Sequence, residues 1–318
     1  DWHFHGLSPV NVFHKELSEA APNVHDPELK NHHMLVRKKF TITKTEEIEK
    51  NLYLDITADD YYKLYLNGRY VGQGPAPSYY FNYAYNRYEV SRFLHDGENI
   101  IAVHVYYQGL INRVWNSGDY RQGLIAELSV GDELILSTDE TWKCTRALEY
   151  TGQTTFGYDT QFSEDIDSRL EEKNWRELDY KDESWQNVCV NLSDDHKLVQ
   201  QTTPVLAVYE KKPETVERLG PGHYLIDFGQ EITGQFKAEA KGKAGQIIYI
   251  RSGEERTEDK KSVRYQLRCN CTYEEQWILS GKPDRLEQFD YKAFRYVEVI
   301  SPEGTLMPES IRAIVRHY

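Results

Sequence analysis

The chain has 318 residues, of which 39% are hydrophobic and 28% charged, so it is long enough for a large core or roughly two domains. No run approaches the ~18 consecutive apolar residues of a membrane helix, which excludes a helical membrane protein. The net charge is −13 and no basic stripe is present, which argues against binding to nucleic acid or to anionic membranes.

The four cysteines are too few to form a disulfide framework for a chain of this length. Cys269 and Cys271 are predicted to place two thiols on one face of an extended strand. We expect reduced thiols and a bacterial cytoplasmic location, and the cysteine spacing is not that of a zinc finger. The chain begins Asp-Trp without a signal peptide, so we expect a processed product or a piece of a longer protein.

β-Structure is predicted from Met34 onward, after an irregular N-terminal arm. The strongest local signal lies in 52–74, where apolar residues recur at every second position in two consecutive runs. Asn67-Gly68 follows the second run, and both residues tolerate positive φ, which predicts a tight hairpin turn. We therefore expect a three-stranded meander here, with Asp59-Asp60 forming its first turn.

The middle of the chain continues the β pattern. The tyrosine-rich run 79–88 either lines a sugar groove or forms a tyrosine-covered face packed against the N-terminal arm or against a further domain. Residues 99–107 are apolar at successive positions, which is typical of a central strand covered on both sides. Residues 123–130 and 133–136 are predicted to pair across Gly131-Asp132. Three tryptophans are predicted to lie in the core: Trp142, Trp175 and Trp185.

A proline-rich stretch, 204–221, is the best candidate for a linker. A second series of strands follows, in which Asp227-Phe228-Gly229-Gln230 is predicted to be architectural, with Gly229 at a bulge or close backbone approach. Many short strands and no convincing helix longer than ~10 residues predict an all-β protein with two β-sandwich (jelly-roll-like) domains in tandem. The expected boundaries are 1–33 for the arm, 34–203 for the first sandwich and 204–318 for the second.

The order of these motifs resembles the non-catalytic N-terminal modules of bacterial α-L-rhamnosidases, glycoside hydrolase family 78. The first half of the resemblance consists of the hairpin 61–72, the stretch 96–103, the stretch 164–169 (Glu-Asp-Ile-Asp-Ser-Arg) with Trp175 after it, and 182–185. The second half is similar to the concanavalin-like domain of that family, through 227–230, Gly234, 244–245 and 294–299. The resemblance covers nearly all of residues 30–318.

In that family the catalytic acid and base lie in an (α/α)6 barrel that follows these sandwiches, whereas this chain stops at Tyr318. The resemblance therefore implies the accessory N-terminal part of an α-L-rhamnosidase, whose partners are a rhamnose-containing glycan and the missing catalytic domain. No catalytic pair can be chosen among 51 acidic residues, and we predict none. Two alternatives are a free-standing protein that binds rhamnose or plant glycans without catalysis and a purely structural adhesion module.

The resemblance also suggests a test for rhamnose bound through Ca²⁺, because closely spaced carboxylates offer the hard oxygen ligands that Ca²⁺ prefers. The candidate metal ligands are Glu164, Asp165 and Asp167. The candidate carbohydrate-binding residues are Trp115, Asn116, Asp119, Tyr120, Arg121, Asp167 and Arg169, with Trp115 as a stacking platform. The alternative is that Asp167 and Arg169 form a structural turn and that Trp115 belongs to the core.

Overall fold

Strands joined by turns make up most of the structure. The computed structural model describes residues 6–8, 30–43, 51–78, 82–109, 123–157, 160–191 and 197–317. A single-turn 3₁₀ helix, Ser91–Phe93, interrupts the strands of the first half. In this described part of the chain, no helix has the length and apolar composition needed to cross a membrane. The predicted all-β class is confirmed.

The strands are numbered in chain order. The first thirteen are β1 Gly6–Ser8, β2 His32–Ile42, β3 Leu52–Asp59, β4 Tyr61–Leu66, β5 Arg69–Gly74, β6 Tyr83–Glu89, β7 Gly97–Tyr107, β8 Gly123–Val130, β9 Glu133–Ser137, β10 Lys143–Arg146, β11 Thr155–Phe156, β12 Gln161–Phe162 and β13 Ile166–Asp167. The others are β14 Gln186–Asn187, β15 Cys189–Asn191, β16 Leu198–Gln200, β17 Ala207–Lys211, β18 Thr215–Gly220, β19 His223–Lys241, β20 Ile247–Gly253, β21 Glu274–Ile278, β22 Pro283–Arg285, β23 Lys292–Ile300 and β24 Leu306–His317.

The chain forms two compact units and crosses between them more than once. Unit 1 comprises Asp1–Ala147 and Glu172–Val205, and unit 2 comprises Leu148–Glu171 and Leu206–Tyr318. The chain therefore leaves unit 1 after Ala147, contributes residues 148–171 to unit 2, and then returns. We call residues 148–171 the excursion segment. The sequence prediction placed a single boundary between the two sandwiches, between 203 and 204, and contained no such excursion.

Unit 1 contains a six-stranded sheet in the order β14-β10-β2-β7-β4-β5 and a five-stranded sheet in the order β16-β6-β3-β8-β9. Successive side chains of a strand point to opposite faces, so every second residue of each sheet enters a shared core. Leu54 and Ile56 enter it from β3, while Leu64 and Val103 enter it from β4 and β7. This arrangement is the first β-sandwich.

The hairpin prediction is confirmed, because β4 and β5 pair across Asn67 (φ 49°) and Gly68 (φ 74°). The predicted meander is wrong, because β3 pairs with β6 and β8 in the other sheet. The chain changes sheets at Asp59-Asp60. Strands on opposite sides of one core show the same apolar alternation, so this pattern does not distinguish a sheet change from a meander.

Other predictions for unit 1 are also confirmed. β7 lies between β2 and β4 and is buried on both faces, and β8 pairs with β9 across Gly131 (φ 55°). All three tryptophans are buried: Trp142, Trp175 and Trp185.

Unit 2 is built on a nine-stranded sheet, in which the path β13-β21-β20-β23-β19-β24-β17 is joined by β18 and β22 at β19. The first half of β19 pairs with β18 and β23, and its second half pairs with β24 and β22. The sheet therefore curls around one core, to which Phe228, Phe236, Trp277 and Phe294 contribute. The prediction of two β-sandwich domains is confirmed.

The predicted linker over 204–221 is wrong, because β17 and β18 within it are strands of the unit 2 sheet. The prolines stand at the boundaries of these strands. Pro204 precedes β17, Pro213 separates β17 from β18, and Pro221 lies in the turn before β19. A proline has no backbone N–H to donate to a neighbouring strand, so prolines stand at strand ends. They give this segment the proline-rich composition that is also typical of a linker.

Candidate functional site

The predicted metal ligands lie in the excursion segment, on a short ribbon that ends in β13. The backbone of Thr151 donates to Asp165 O (2.8 Å), and Tyr150 forms a bridge with Ile166. Ile166 enters the core of unit 2, and β13 runs parallel to β21. These contacts fix the backbone at Ile166 and therefore the directions of the neighbouring side chains of Glu164, Asp165 and Asp167.

Asp167 forms an ion pair with its near neighbour Arg169. Its Oδ1 accepts from Arg169 Nε (2.8 Å) and Oδ2 accepts from Nη2 (2.6 Å). The backbone of Leu170 donates to Asp167 O (3.0 Å), which closes a turn. The hydrogen bonds from Arg169 lower the pKa of the Asp167 carboxyl. These are the contacts of the structural turn that was the alternative interpretation of this pair.

Asp165 and Glu164 point to two other places. Asp165 Oδ1 accepts from the backbone of Gln276 on β21 (2.8 Å). Glu164 Oε1 accepts from the backbones of Phe289 (2.6 Å) and Asp290 (3.0 Å). Among the described residues, no three His, Cys, Asp or Glu side chains are grouped so as to hold a metal ion. Calcium binding through Glu164, Asp165 and Asp167 stays a prediction.

Glu164 belongs to a buried charged cluster with Glu275 of β21 and Lys292 of β23. Lys292 Nζ lies 2.7 Å from Glu275 Oε1, and the backbone of Glu164 donates to the same oxygen (2.9 Å). Gln288 Nε2 donates to Glu275 Oε2 (2.5 Å). Glu164 Oε2 is buried and has no hydrogen-bond partner in the described part of the chain. The cluster joins the excursion segment to two strands of the sheet.

Burial raises the pKa of the Glu164 carboxyl to about 7, and this effect exceeds the opposing attraction of Lys292. Burial alone would lower the pKa of the Lys292 ammonium, but the facing carboxylates of Glu275 and Glu164 outweigh it and raise that pKa. Two neighbouring carboxyls, one with a raised pKa, are the groups that a glycoside hydrolase uses. Here Glu164 is 6% exposed and Glu275 is 3% exposed, so a glycoside has no access to the pair. The cluster is structural.

The other predicted sugar-binding residues lie in 110–122, outside the described residues: Trp115, Asn116, Asp119, Tyr120 and Arg121. The described chain ends before this stretch at Gly109 and resumes at Gly123, after β7 and at the start of β8. Buried polar residues surround this end of unit 1. Asp60 Oδ2 accepts from the backbone of Gln108 (2.6 Å), and the Tyr83 hydroxyl donates to Ala58 O (3.0 Å).

The structure describes only part of the tyrosine-rich run 79–88. Residues 79–81 are outside the described residues. Tyr83 and Tyr88 are buried, and the Tyr88 hydroxyl lies 3.1 Å from that of Tyr62 in the core. In the described part of the run, these two side chains are therefore packing residues.

The Asp227-Phe228-Gly229-Gln230 motif is architectural, as predicted. The register of β19 against β23 shifts between Asp227 and Ile232, and Gly229 has φ 80° within this bulge. Asp227 Oδ1 accepts from the Gly229 backbone (2.7 Å) and from Arg295 Nε (2.9 Å). The side chain of Arg295 therefore closes the bulge from the neighbouring strand.

Sequence reasoning missed the burial of Arg37, a charged residue of β2. Its side chain is 0% exposed beneath residues 175–185. Nη1 donates to Trp175 O (3.0 Å), Nη2 donates to Glu177 O (3.1 Å), and Nε lies 2.9 Å from Asp182 Oδ2. The predicted burial of Trp175 and Trp185 was the signal that a segment covers this face.

Family models match both halves of the chain. The α-L-rhamnosidase N-terminal domain matches residues 48–210, and the bacterial α-L-rhamnosidase concanavalin-like domain matches residues 217–317. An α-L-rhamnosidase of Formosa agariphila is 26% identical over 315 residues, covering 88% of this chain and 31% of the relative. One of Streptomyces avermitilis is 24% identical over 298 residues, covering 89% and 28%. The chain thus spans about a third of the length of these relatives.

Solved structures agree with these matches. The α-L-rhamnosidase of Dictyoglomus thermophilum has a TM-score of 0.70 at 27% identity, covering 90% of this chain and 32% of that one. A family 78 rhamnosidase of Bacillus sp. GL1 has a TM-score of 0.84, covering 100% and 55%, and its 13% identity shows the fold alone. The chain therefore belongs to the α-L-rhamnosidases of glycoside hydrolase family 78 and carries their N-terminal and concanavalin-like domains.

Proposed function

We propose that the two domains are an accessory, non-catalytic part of an α-L-rhamnosidase that releases terminal α-L-rhamnose from glycosides. One observation carries the proposal: both family domains match in order over residues 48–317, while the matched relatives are about three times as long. The inaccessibility of Glu164 and Glu275 supports it, since this is the described carboxyl pair whose chemistry fits glycoside hydrolysis.

A hydrolysis assay tests the proposal. The purified chain is incubated with an aryl α-L-rhamnoside, and the released phenol is compared with that from the Streptomyces avermitilis relative as a positive control. We expect no release above the buffer rate. Sustained release by this chain would contradict the proposal, and loss of that release in Glu164→Gln would then identify the buried cluster as catalytic.

We further propose that unit 1 binds a rhamnose-containing glycan through residues 110–122. A rhamnosidase of Streptomyces avermitilis, 24% identical to this chain with a TM-score of 0.72, has been solved in complex with L-rhamnose. The stretch combines an aromatic ring with amide, carboxylate and guanidinium groups, which is the composition of a site that stacks on a sugar and binds its hydroxyls. Trp115, Asp119 and Arg121 supply three of these groups.

Calorimetry with L-rhamnose, with and without Ca²⁺, tests this second proposal. We expect Trp115→Ala to weaken binding by about tenfold, since an aromatic contact is worth roughly 1 kcal/mol beyond its buried area. Tyr209→Ala removes an exposed aromatic side chain of unit 2 and is the matched control, so it should bind as the wild type does. No heat of binding at millimolar sugar would count against the proposal.

A further inference from the structure

Cys269 and Cys271 lie at the tip of a hairpin, and the predicted extended strand is wrong. Cys269 has φ 60° and Asn270 has φ 58°, and the backbone of Cys271 donates to Arg268 O (3.2 Å). Positive φ at both central residues with this hydrogen bond defines a type I′ turn. Gln266 and Thr272 pair directly behind the turn. We call residues 266–272 the thiol hairpin.

The turn brings the two cysteines within the range of a disulfide bond. In helix-like geometry of either hand, Cα atoms two residues apart are about 5.4 Å from each other. Disulfides join Cα atoms that are usually about 4.4–6.8 Å apart. The first central position of a type I′ turn favours Gly, Asn or Asp, so turn formation does not account for the cysteine at 269.

The two thiols differ in their surroundings. Cys269 is exposed, whereas Cys271 is half-buried and hydrogen-bonds to Tyr273. Burial raises the pKa of the Cys271 thiol. The thiolate is the attacking form in thiol–disulfide exchange, so a reagent from solution meets Cys269 first.

We propose that Cys269 and Cys271 form a dithiol site that a low-molecular-weight disulfide oxidises to an intramolecular disulfide bond. The Cys269 thiolate attacks one sulfur of the reagent, and a protein–reagent disulfide forms as the first reagent thiolate leaves. The Cys271 thiolate then attacks the Cys269 sulfur, and the second reagent thiolate leaves. The protein dithiol loses two protons and two electrons, and the reagent disulfide is reduced to two thiols.

Mass spectrometry of the full chain treated with oxidised glutathione tests this site. The chain carries Cys189→Ser, which removes the exposed cysteine of unit 1 and leaves Cys144 buried. We expect the peptide that contains Cys269 and Cys271 to lose two hydrogen atoms without retaining glutathione, and dithiothreitol to restore them. In the matched variant Cys271→Ser we expect a stable glutathione adduct on Cys269.

Two outcomes would overturn the proposal. One is a stable glutathione adduct on Cys269 while Cys271 is present, since the second exchange would then not occur. The other is a hairpin that stays fully reduced, whereas the same chain unfolded in urea reacts with the reagent.

Discussion

At the residue scale, Arg37 holds residues 175–185 on the outer face of the six-stranded sheet. A lysine keeps the charge but cannot reproduce two forked hydrogen bonds together with the ion pair to Asp182. We expect Arg37→Lys to lower the free energy of unfolding of unit 1 by about 1–3 kcal/mol, the usual cost of leaving a buried hydrogen-bond acceptor without a donor. Urea unfolding followed by tryptophan fluorescence measures this change.

Arg87 provides the matched control for Arg37. It also forms a forked pair, with Asp55 at 2.7 and 2.6 Å, but its side chain is 43% exposed. An exposed pair contributes at most about 1 kcal/mol, so Arg87→Lys should be nearly neutral. Equal effects of the two substitutions would show that the burial of Arg37 is not what matters.

Three buried histidines should make unit 1 sensitive to acid. Burial lowers the pKa of His32 to about 4 and lowers the pKa values of His33 and His104 well below 6.5. Nδ1 of His33 lies 3.0 Å from Nε2 of His104, a contact that needs at least one neutral ring. Histidines of the unfolded chain bind protons near pH 6.5, whereas His32 in the folded unit is protonated only near pH 4.

Because these histidines have lower pKa values in the folded state than in the unfolded state, their protonation favours unfolding. Stability that is present above pH 6.5 is lost as the pH falls toward 4, by up to ~1.4 kcal/mol per pH unit for each histidine. We expect the urea concentration at which unit 1 is half unfolded to be lower at pH 5 than at pH 7. The His104→Gln substitution should make this difference smaller. A midpoint that does not change over this interval would contradict the prediction.

At the element scale, the excursion segment depends on the charges around Glu164. Lys292→Met removes the cation that faces Glu275 and Glu164, and leaves two buried carboxyls without it. We expect a loss of about 3–5 kcal/mol in the stability of unit 2. Fluorescence of Trp277 during urea unfolding reports the change, because its Nε1 donates to Ser168 of the excursion segment (2.8 Å).

The contribution of Glu164 to stability should change with pH in the opposite direction to that of the histidines, and Glu164→Gln tests this. Because burial raises the pKa of Glu164 from 4.5 to about 7, the folded state binds this proton more tightly than the unfolded state does. This contribution is therefore present at low pH and is lost as the pH rises through 4.5 to 7. The glutamine variant should gain stability relative to wild type between pH 5 and pH 8. A constant difference between the two proteins would contradict the assignment.

Local signals at the element scale predicted the hairpin at Asn67-Gly68, the bulge at Gly229 and the buried tryptophans, because each depends on residues close in sequence. They did not predict the sheet change at Asp59-Asp60 or the roles of the acids at 164–167. The sheet change depends on the pairing of β3 with β6 and β8, and the side chains of Asp165 and Glu164 accept from Gln276 and Phe289, more than a hundred residues away. The spacing of these acids along the chain does not identify such partners.

At the scale of the whole molecule, the excursion segment predicts how the chain can be divided. Residues 206–318 alone lack β13 and Ile166, which covers the core next to Trp277. Trp277 is the only tryptophan in 206–318, and residues 148–171 contain none.

We expect 206–318 to be poorly folded, and a synthetic peptide of residues 148–171 to restore buried Trp277 emission and cooperative unfolding. The same peptide with Ile166→Ala should bind less tightly, because it leaves a cavity in the core. If 206–318 alone unfolds at the same urea concentration with and without the peptide, the excursion segment is not an integral part of unit 2.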